Sequence, residues 1–263
     1  MCVNSASTVL RGGRSTIYRK VKRLSSTRLA EEGVKNIEGF ATGELMKTHF
    51  YLGWFNDFFP DNLGRVLQED ITDRKSLAMI SSNPLCYEDD GATERSWFDQ
   101  AGIMFDEYHL INNRVQKEDA QTLIKNASVI LLLGGNTLKQ NEFLMEYELS
   151  DSIIKSRAVV MGASAGAINM SAKWLCSKNF GYKVEISSVY DGIGLDDFSI
   201  LSHFDLENNI ALVQDELSPL SEEIDIYASN KDCAIRVKGD KIDILGNVYL
   251  ISHSKIRKLD ETL

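Results

Sequence analysis

The sequence predicts an α/β fold, with a mostly parallel central sheet, helices on both faces and a C-terminal β-hairpin extension. Three observations predict it. From Lys47 onward, short apolar runs alternate with longer amphipathic ones, the pattern of parallel strands joined by crossover helices. The run Ser128-Val-Ile-Leu-Leu-Leu133 is apolar at every position after the serine, as a strand buried on both faces must be. A second apolar run, Ala158-Val-Val-Met161, ends abruptly in Gly162-Ala-Ser-Ala-Gly166, a Gly-x-Ser-x-Gly turn from strand into helix.

Each element follows from local pattern. Residues 49–55 read as a first strand and 63–68 as part of the helix after it. Residues 76–82 form a second strand, which opens at Asn83-Pro84 into an acidic loop, Glu88-Asp89-Asp90. A helix is expected around 93–104, then a short edge-like strand at 108–111 and a helix at 117–125. Residues 141–155 carry Phe143, Leu144, Tyr147, Ile153 and Ile154 at helical spacing and lead into the serine strand. Beyond a helix expected over 207–216, the texture changes. Alternating apolar residues broken by Gly239-Asp240 and Gly246-Asn247 signal hairpins, expected to extend one edge of the same sheet. With no internal repeat and no Pro-rich linker, residues 47–263 read as one catalytic domain.

Composition narrows the class. A chain of 263 residues, 43% hydrophobic and 25% charged, can bury a full core. Its formal net charge of -9 opposes binding to nucleic acid or to an anionic membrane, because the phosphates would be repelled. No apolar run reaches the length of a membrane span. Cys2, Cys86, Cys176 and Cys233 are scattered without a Cys-x-x-Cys pair, so no metal site, cofactor or disulfide framework is indicated and a reducing cytoplasm fits. Residues 1–46 form a separate, basic N-terminal extension: Arg11, Arg14, Arg19, Lys20, Lys22, Arg23 and Arg28 precede the first acidic residue, Glu31. That composition resembles a transit peptide or a basic arm and carries no catalytic signal.

The chemistry centres on Ser164. A strand turning straight into a helix cramps the serine backbone, and side chains two residues to either side would clash, hence the glycines. The turn lifts the hydroxyl out of the sheet and puts the Ala165 amide at a helix start, where an orphan N–H can meet a developing oxyanion. A serine hydroxyl needs an imidazole to take its proton. Of the four histidines, His49 lies inside the first strand, His109 in the edge-like one and His253 in a polar tail. His203 follows the apolar stretch Phe198-Ser-Ile-Leu201 and so emerges at a strand terminus, where open α/β sheets assemble their sites. A second oxyanion donor is expected from the loop Gly134-Gly135-Asn136-Thr137, whose glycines let backbone amides approach a substrate.

These residues carry a resemblance. The Gly-Gly-Asn-Thr loop at 134–137, the Gly-x-Ser-Ala-Gly-Ala turn at 162–167 and the segment Gly192-Ile-Gly-Leu…Ser202-His-Phe-Asp205 resemble dipeptidase E and the cyanophycinases over about residues 47–251. The resemblance implies a serine peptidase on a sheet similar to that of the class I glutamine amidotransferases. By it, Ser164 would be the nucleophile, His203 the base, Gly135 and Ala165 the oxyanion hole, and Asn136 a substrate-binding residue. Members of the family cut aspartyl dipeptides or the isoaspartyl-type linkage of cyanophycin, so the implied partner is a small peptide, and a homodimer is compatible.

The third triad member departs from the family pattern. Relatives place an acid between the serine and the histidine, yet Asn179 stands near the expected spacing. Glu185 is the carboxylate chosen here, with Asp191 as second choice. A neutral amide at that position would leave imidazolium unsupported and turnover slow or absent. For substrate, Lys139 is a candidate cation for an aspartyl carboxylate and the 88–90 loop a candidate site for a free amino terminus, although both also read as solvated charges. Two other readings compete: an α/β-hydrolase esterase, disfavoured by the close spacing of Ser164 and His203, and an inactive relative serving as a ligand-binding or interaction module.

Overall fold

A computed structural model describes residues 47–86 and 91–263; the basic extension and the acidic 88–90 loop lie outside them. In chain order the first half runs β1 (Thr48–Leu52), α1 (Asp61–Asp70), β2 (Ser76–Ile80), α2 (Ala92–Gln100), β3 (Glu107–Ile111), α3 (Lys117–Asn126), β4 (Val129–Leu132) and α4 (Thr137–Glu146). It continues with α5 (Leu149–Lys155), β5 (Val159–Ala163) and α6 (Ala165–Met170). Strands β1, β5, β4, β2 and β3 pair in parallel, with β3 at the edge.

Side chains alternate across this sheet as a period of two requires. Phe50, Leu77, Leu131 and Met161 face α1 and α2, packing with Leu63, Leu67, Trp97 and Phe98. Tyr51, Ile80, Leu132 and Val160 face the other way, against Ile124, Phe143, Leu144 and Ile153 of α3, α4 and α5. Burial on both faces is why these strands are uniformly apolar. The single helix expected over 141–155 is two, because Glu148 adopts a left-handed backbone (φ 52°) between α4 and α5. That one residue redirects the chain so that α5 packs on α3.

The second half brings β6 (Lys173–Cys176) and β7 (Ser188–Asp191), an antiparallel ribbon with no strong sequence signal, then β8 (Ser199–Ser202). The helix expected at 207–216 is replaced by α7 (Ile210–Leu212), a π-helical turn at Val213–Leu217 and α8 (Ser218–Leu220). Five strands close the chain: β9 (Ile226–Ser229), β10 (Ala234–Lys238), β11 (Lys241–Leu245), β12 (Val248–Ser252) and β13 (Lys255–Lys258). The β10–β11 hairpin extends the large sheet on the β1 side, giving the order β11-β10-β1-β5-β4-β2-β3.

The expectation that all the late strands add to that edge is corrected. β9 and β12 leave it for a second sheet, ordered β13-β12-β9-β8. Their inward residues explain the choice: Ile226, Ala228 and Ile251 bury with Leu201, Phe204, Leu212 and Leu217 in a core of their own. The outer edge strand β11 offers no such cover, since Ile242 there remains exposed. Parallel pairing of β8 with β9 then brings the end of β8 beside the end of β9.

Candidate active site

At the C-terminal end of β5 the chain turns into α6 through Ser164, whose backbone (φ 46°, ψ -101°) lies outside the regions open to ordinary residues. Two hydrogen bonds hold it there: its N–H donates to the Leu52 carbonyl at 2.8 Å, and its own carbonyl accepts from Ile168 N–H at 3.0 Å. The flanking glycines are required by contact. A Cβ on Gly162 would lie 2.5 Å from the Gly166 carbonyl carbon, and one on Gly166 would lie 2.1 Å from the Leu132 carbonyl oxygen. Strand β4 thus presses directly against the first turn of α6.

β8 ends at Ser202, and His203 follows in a left-handed conformation (φ 64°) that swings its ring off the strand. Phe204 N–H donates to the Ser229 carbonyl at 3.0 Å and fixes this exit. Ser164 Oγ and His203 Nε2 are 2.7 Å apart, the distance at which a neutral imidazole accepts a hydroxyl proton. Partial desolvation of the ring, and then the nearby Lys231 ammonium, hold the His203 pKa below its ordinary value of 6.5. Both causes penalise the imidazolium, so the ring stays neutral further into acid than a free histidine. The acid limb of kcat/KM is therefore expected below pH 6.5, and a pH–rate profile over roughly pH 5 to 8 reads it.

Two backbone amides follow the C-terminal ends of the adjacent parallel strands β4 and β5. Ala165 opens α6, so its N–H has no partner within the helix. Gly135 sits in the loop after β4 at φ 128°, a conformation closed to other residues, and a Cβ there would fall 2.3 Å from Ser82 Oγ. Sequence reasoning missed what holds this loop. The carboxylate of Glu94, only 4% exposed, accepts the Gly134 N–H at 3.0 Å, while Ser82 Oγ donates to the Gly134 carbonyl. The Trp54 ring lies beneath, with a Cβ on Gly134 falling 2.7 Å from it, and packs edge-on against buried Trp97. None of the three stands in a motif; only the approach of β1, β2 and α2 to β4 gives them this task. Asn136 caps α4, its Oδ1 accepting from Lys139 N–H at 3.0 Å, and Lys139 Nζ donates to Asn83 Oδ1. Both Asn136 and Lys139 remain exposed beside the loop.

The structure does not bring Glu185 to His203, which corrects the expected triad. Glu185 is exposed on the connection between β6 and β7, a ribbon that belongs to neither sheet, and no hydrogen bond joins it to the imidazole. Asn179 Nδ2 donates instead to Glu216 Oε1 at 2.6 Å. Asp191 is exposed on β7, and its backbone carbonyl accepts from Asn141. Of the other histidines, His49 is buried against Asp196, His109 pairs with Glu107 at the sheet edge, and His253 meets Ser252. Among the described residues no group of three or more His, Cys, Asp or Glu side chains could hold a metal ion. No helix among them is long and apolar enough to cross a membrane.

A strained serine at a strand–helix turn, within a hydrogen bond of an imidazole, is the geometry of a serine hydrolase. The chain belongs to peptidase family S51, whose profile matches residues 87–245, and it is a serine-type peptidase. Its fold is similar to that of a peptidase from an acI-B1 actinobacterium (TM-score 0.59, 16% identity, covering 82% of this chain and 95% of that one). A peptidase E-type protein from Listeria monocytogenes EGD-e is similar too, with TM-score 0.55 and 16% identity over 76% of this chain and 98% of that one. No curated protein matches the sequence. At such identity the solved structures speak for the fold.

Proposed function

We propose that this peptidase cleaves a small peptide through an acyl-enzyme on Ser164, with His203 as general base and the amides of Gly135 and Ala165 as the oxyanion hole. The observation that carries the reading is the 2.7 Å contact between Ser164 Oγ and His203 Nε2 at a strained strand–helix turn. In this reading His203 takes the hydroxyl proton as Oγ attacks the carbonyl carbon. The two amides, fixed before substrate arrives, receive the charge that develops on the carbonyl oxygen. With no carboxylate among the described residues hydrogen-bonded to His203, the pair works as a dyad, and imidazolium in the transition state lacks the support an acid would give. Similarity to the peptidase E group supports an aspartyl dipeptide as substrate, with Asn136 at the substrate's edge.

A fluorophosphonate probe is expected to label the protein at one position, and Ser164→Ala to abolish the label. Hydrolysis of Asp-Leu is expected to exceed that of p-nitrophenyl acetate. An unlabelled protein would overturn the acyl-enzyme, and the reverse ranking would overturn the peptide substrate.

A further inference from the structure

We propose that Lys231 receives the α-carboxylate of the amino acid released by cleavage, so that the enzyme selects peptides whose scissile bond lies one residue from a free C-terminus. The inference rests on the dyad reading above. In that reaction Nε2 of His203 takes the Ser164 proton as the carbon–oxygen bond forms. The same nitrogen returns the proton to the peptide nitrogen as the carbon–nitrogen bond breaks, and the amino acid departs with its amine neutral and its carboxylate ionised. Water then attacks the ester, giving its proton to His203 and restoring the serine. One nitrogen serves both transfers, so the departing residue must occupy the His203 side of Ser164.

The fold puts a cation on that side. β8 and β9 run in parallel with Ser202 opposite Ser229, so the turn that leaves β9, Asn230-Lys231-Asp232, lies alongside His203. Three hydrogen bonds fix this turn. Lys231 N–H donates to Asn230 Oδ1 at 2.9 Å, Asp232 N–H to the Trp54 carbonyl at 3.2 Å, and Gly53 N–H to the Cys233 carbonyl at 2.8 Å. The last two tie it to the loop after β1, the strand whose Leu52 carbonyl holds Ser164 N–H. Lys231 is exposed and makes no ion pair with any described residue, in a chain of net charge -9. Its charge is felt at the imidazole itself. In the proposal this ammonium, unpaired among the described residues, meets the negative charge of the departing residue, and a carboxylate there gains a charge-assisted partner.

The test is binding, which reads the site without turnover. Calorimetric titration of the Ser164→Ala protein with Asp-Leu and with its C-terminal amide is expected to show about tenfold tighter binding of the free acid. Adding Lys231→Gln should bring the acid down to the level of the amide and leave the amide unchanged. Equal binding of acid and amide to Ser164→Ala, no binding of either, or a preference that survives Lys231→Gln would each overturn the proposal. Failure of probe labelling in the wild type would count against the acyl-enzyme alone, because the titration needs no chemistry.

Discussion

Replacing His203 by Asn is expected to reduce kcat toward the cleavable dipeptide by about 10⁴-fold or more while leaving the protein folded. Asparagine is the informative replacement because position 203 has φ 64°, and asparagine tolerates that left-handed conformation better than most residues. A bulky or β-branched substitute would strain the β8 exit and confound lost chemistry with lost structure. The side chain buries little apolar surface, so unchanged thermal unfolding is the accompanying expectation. Combining His203→Asn with Ser164→Ala should add almost nothing to the single losses, since in the proposed mechanism the two residues act as a unit on one proton. Steady-state rates of the three variants provide the check. Additive losses would mean that the 2.7 Å contact is not the path of the proton.

The second large effect concerns shape. Gly166→Ala is expected to destabilise the protein by about 3 kcal/mol or more, or to prevent folding, through one methyl group. The added carbon would meet the Leu132 carbonyl oxygen at 2.1 Å and the carbonyl carbon at 2.6 Å, both backbone atoms of a central strand that cannot move aside. The same substitution in α1 supplies the control. A Cβ on Gly64 would rest 3.7 Å from the Ala101 Cβ, an ordinary contact, and alanine suits a helix interior better than glycine. Gly64→Ala is thus expected to be neutral or stabilising by up to about 1 kcal/mol. Urea unfolding of both variants measures the contrast, and similar midpoints would contradict the packing of α6 on β4.

The features that were legible in the sequence are those whose physics is local. The elbow shows itself because its glycines exclude side chains over five residues, and β4 because burial on both faces leaves no polar position after Ser128. The position of His203 at a strand end follows from a short apolar run that stops. What stayed hidden depends on distant partners. Pairing of β8 with β9 spans more than twenty residues with no hairpin signal between them, so the neighbours of His203 could not be read from its own surroundings. Glu185 is the carboxylate nearest the expected triad spacing in the sequence, yet it lies exposed on the β6–β7 connection with no hydrogen bond to the imidazole. Nothing in the Thr93–Arg95 stretch singles out Glu94, and only the loop after β4 makes it a buried acceptor.

The serine rides on the seven-stranded sheet and the histidine on the four-stranded one; Ile200, Tyr227, Val248 and Leu250 join the smaller sheet to the main core, while its other face keeps an interior of its own. The proposed catalytic pair is therefore assembled across a seam, and a slip of the lesser layer by even an ångström would separate donor from acceptor. Gentle heat or mild denaturant should then silence the enzyme before the larger layer loses its secondary structure. Loss of activity would report on how the two layers are joined, well before either one melts.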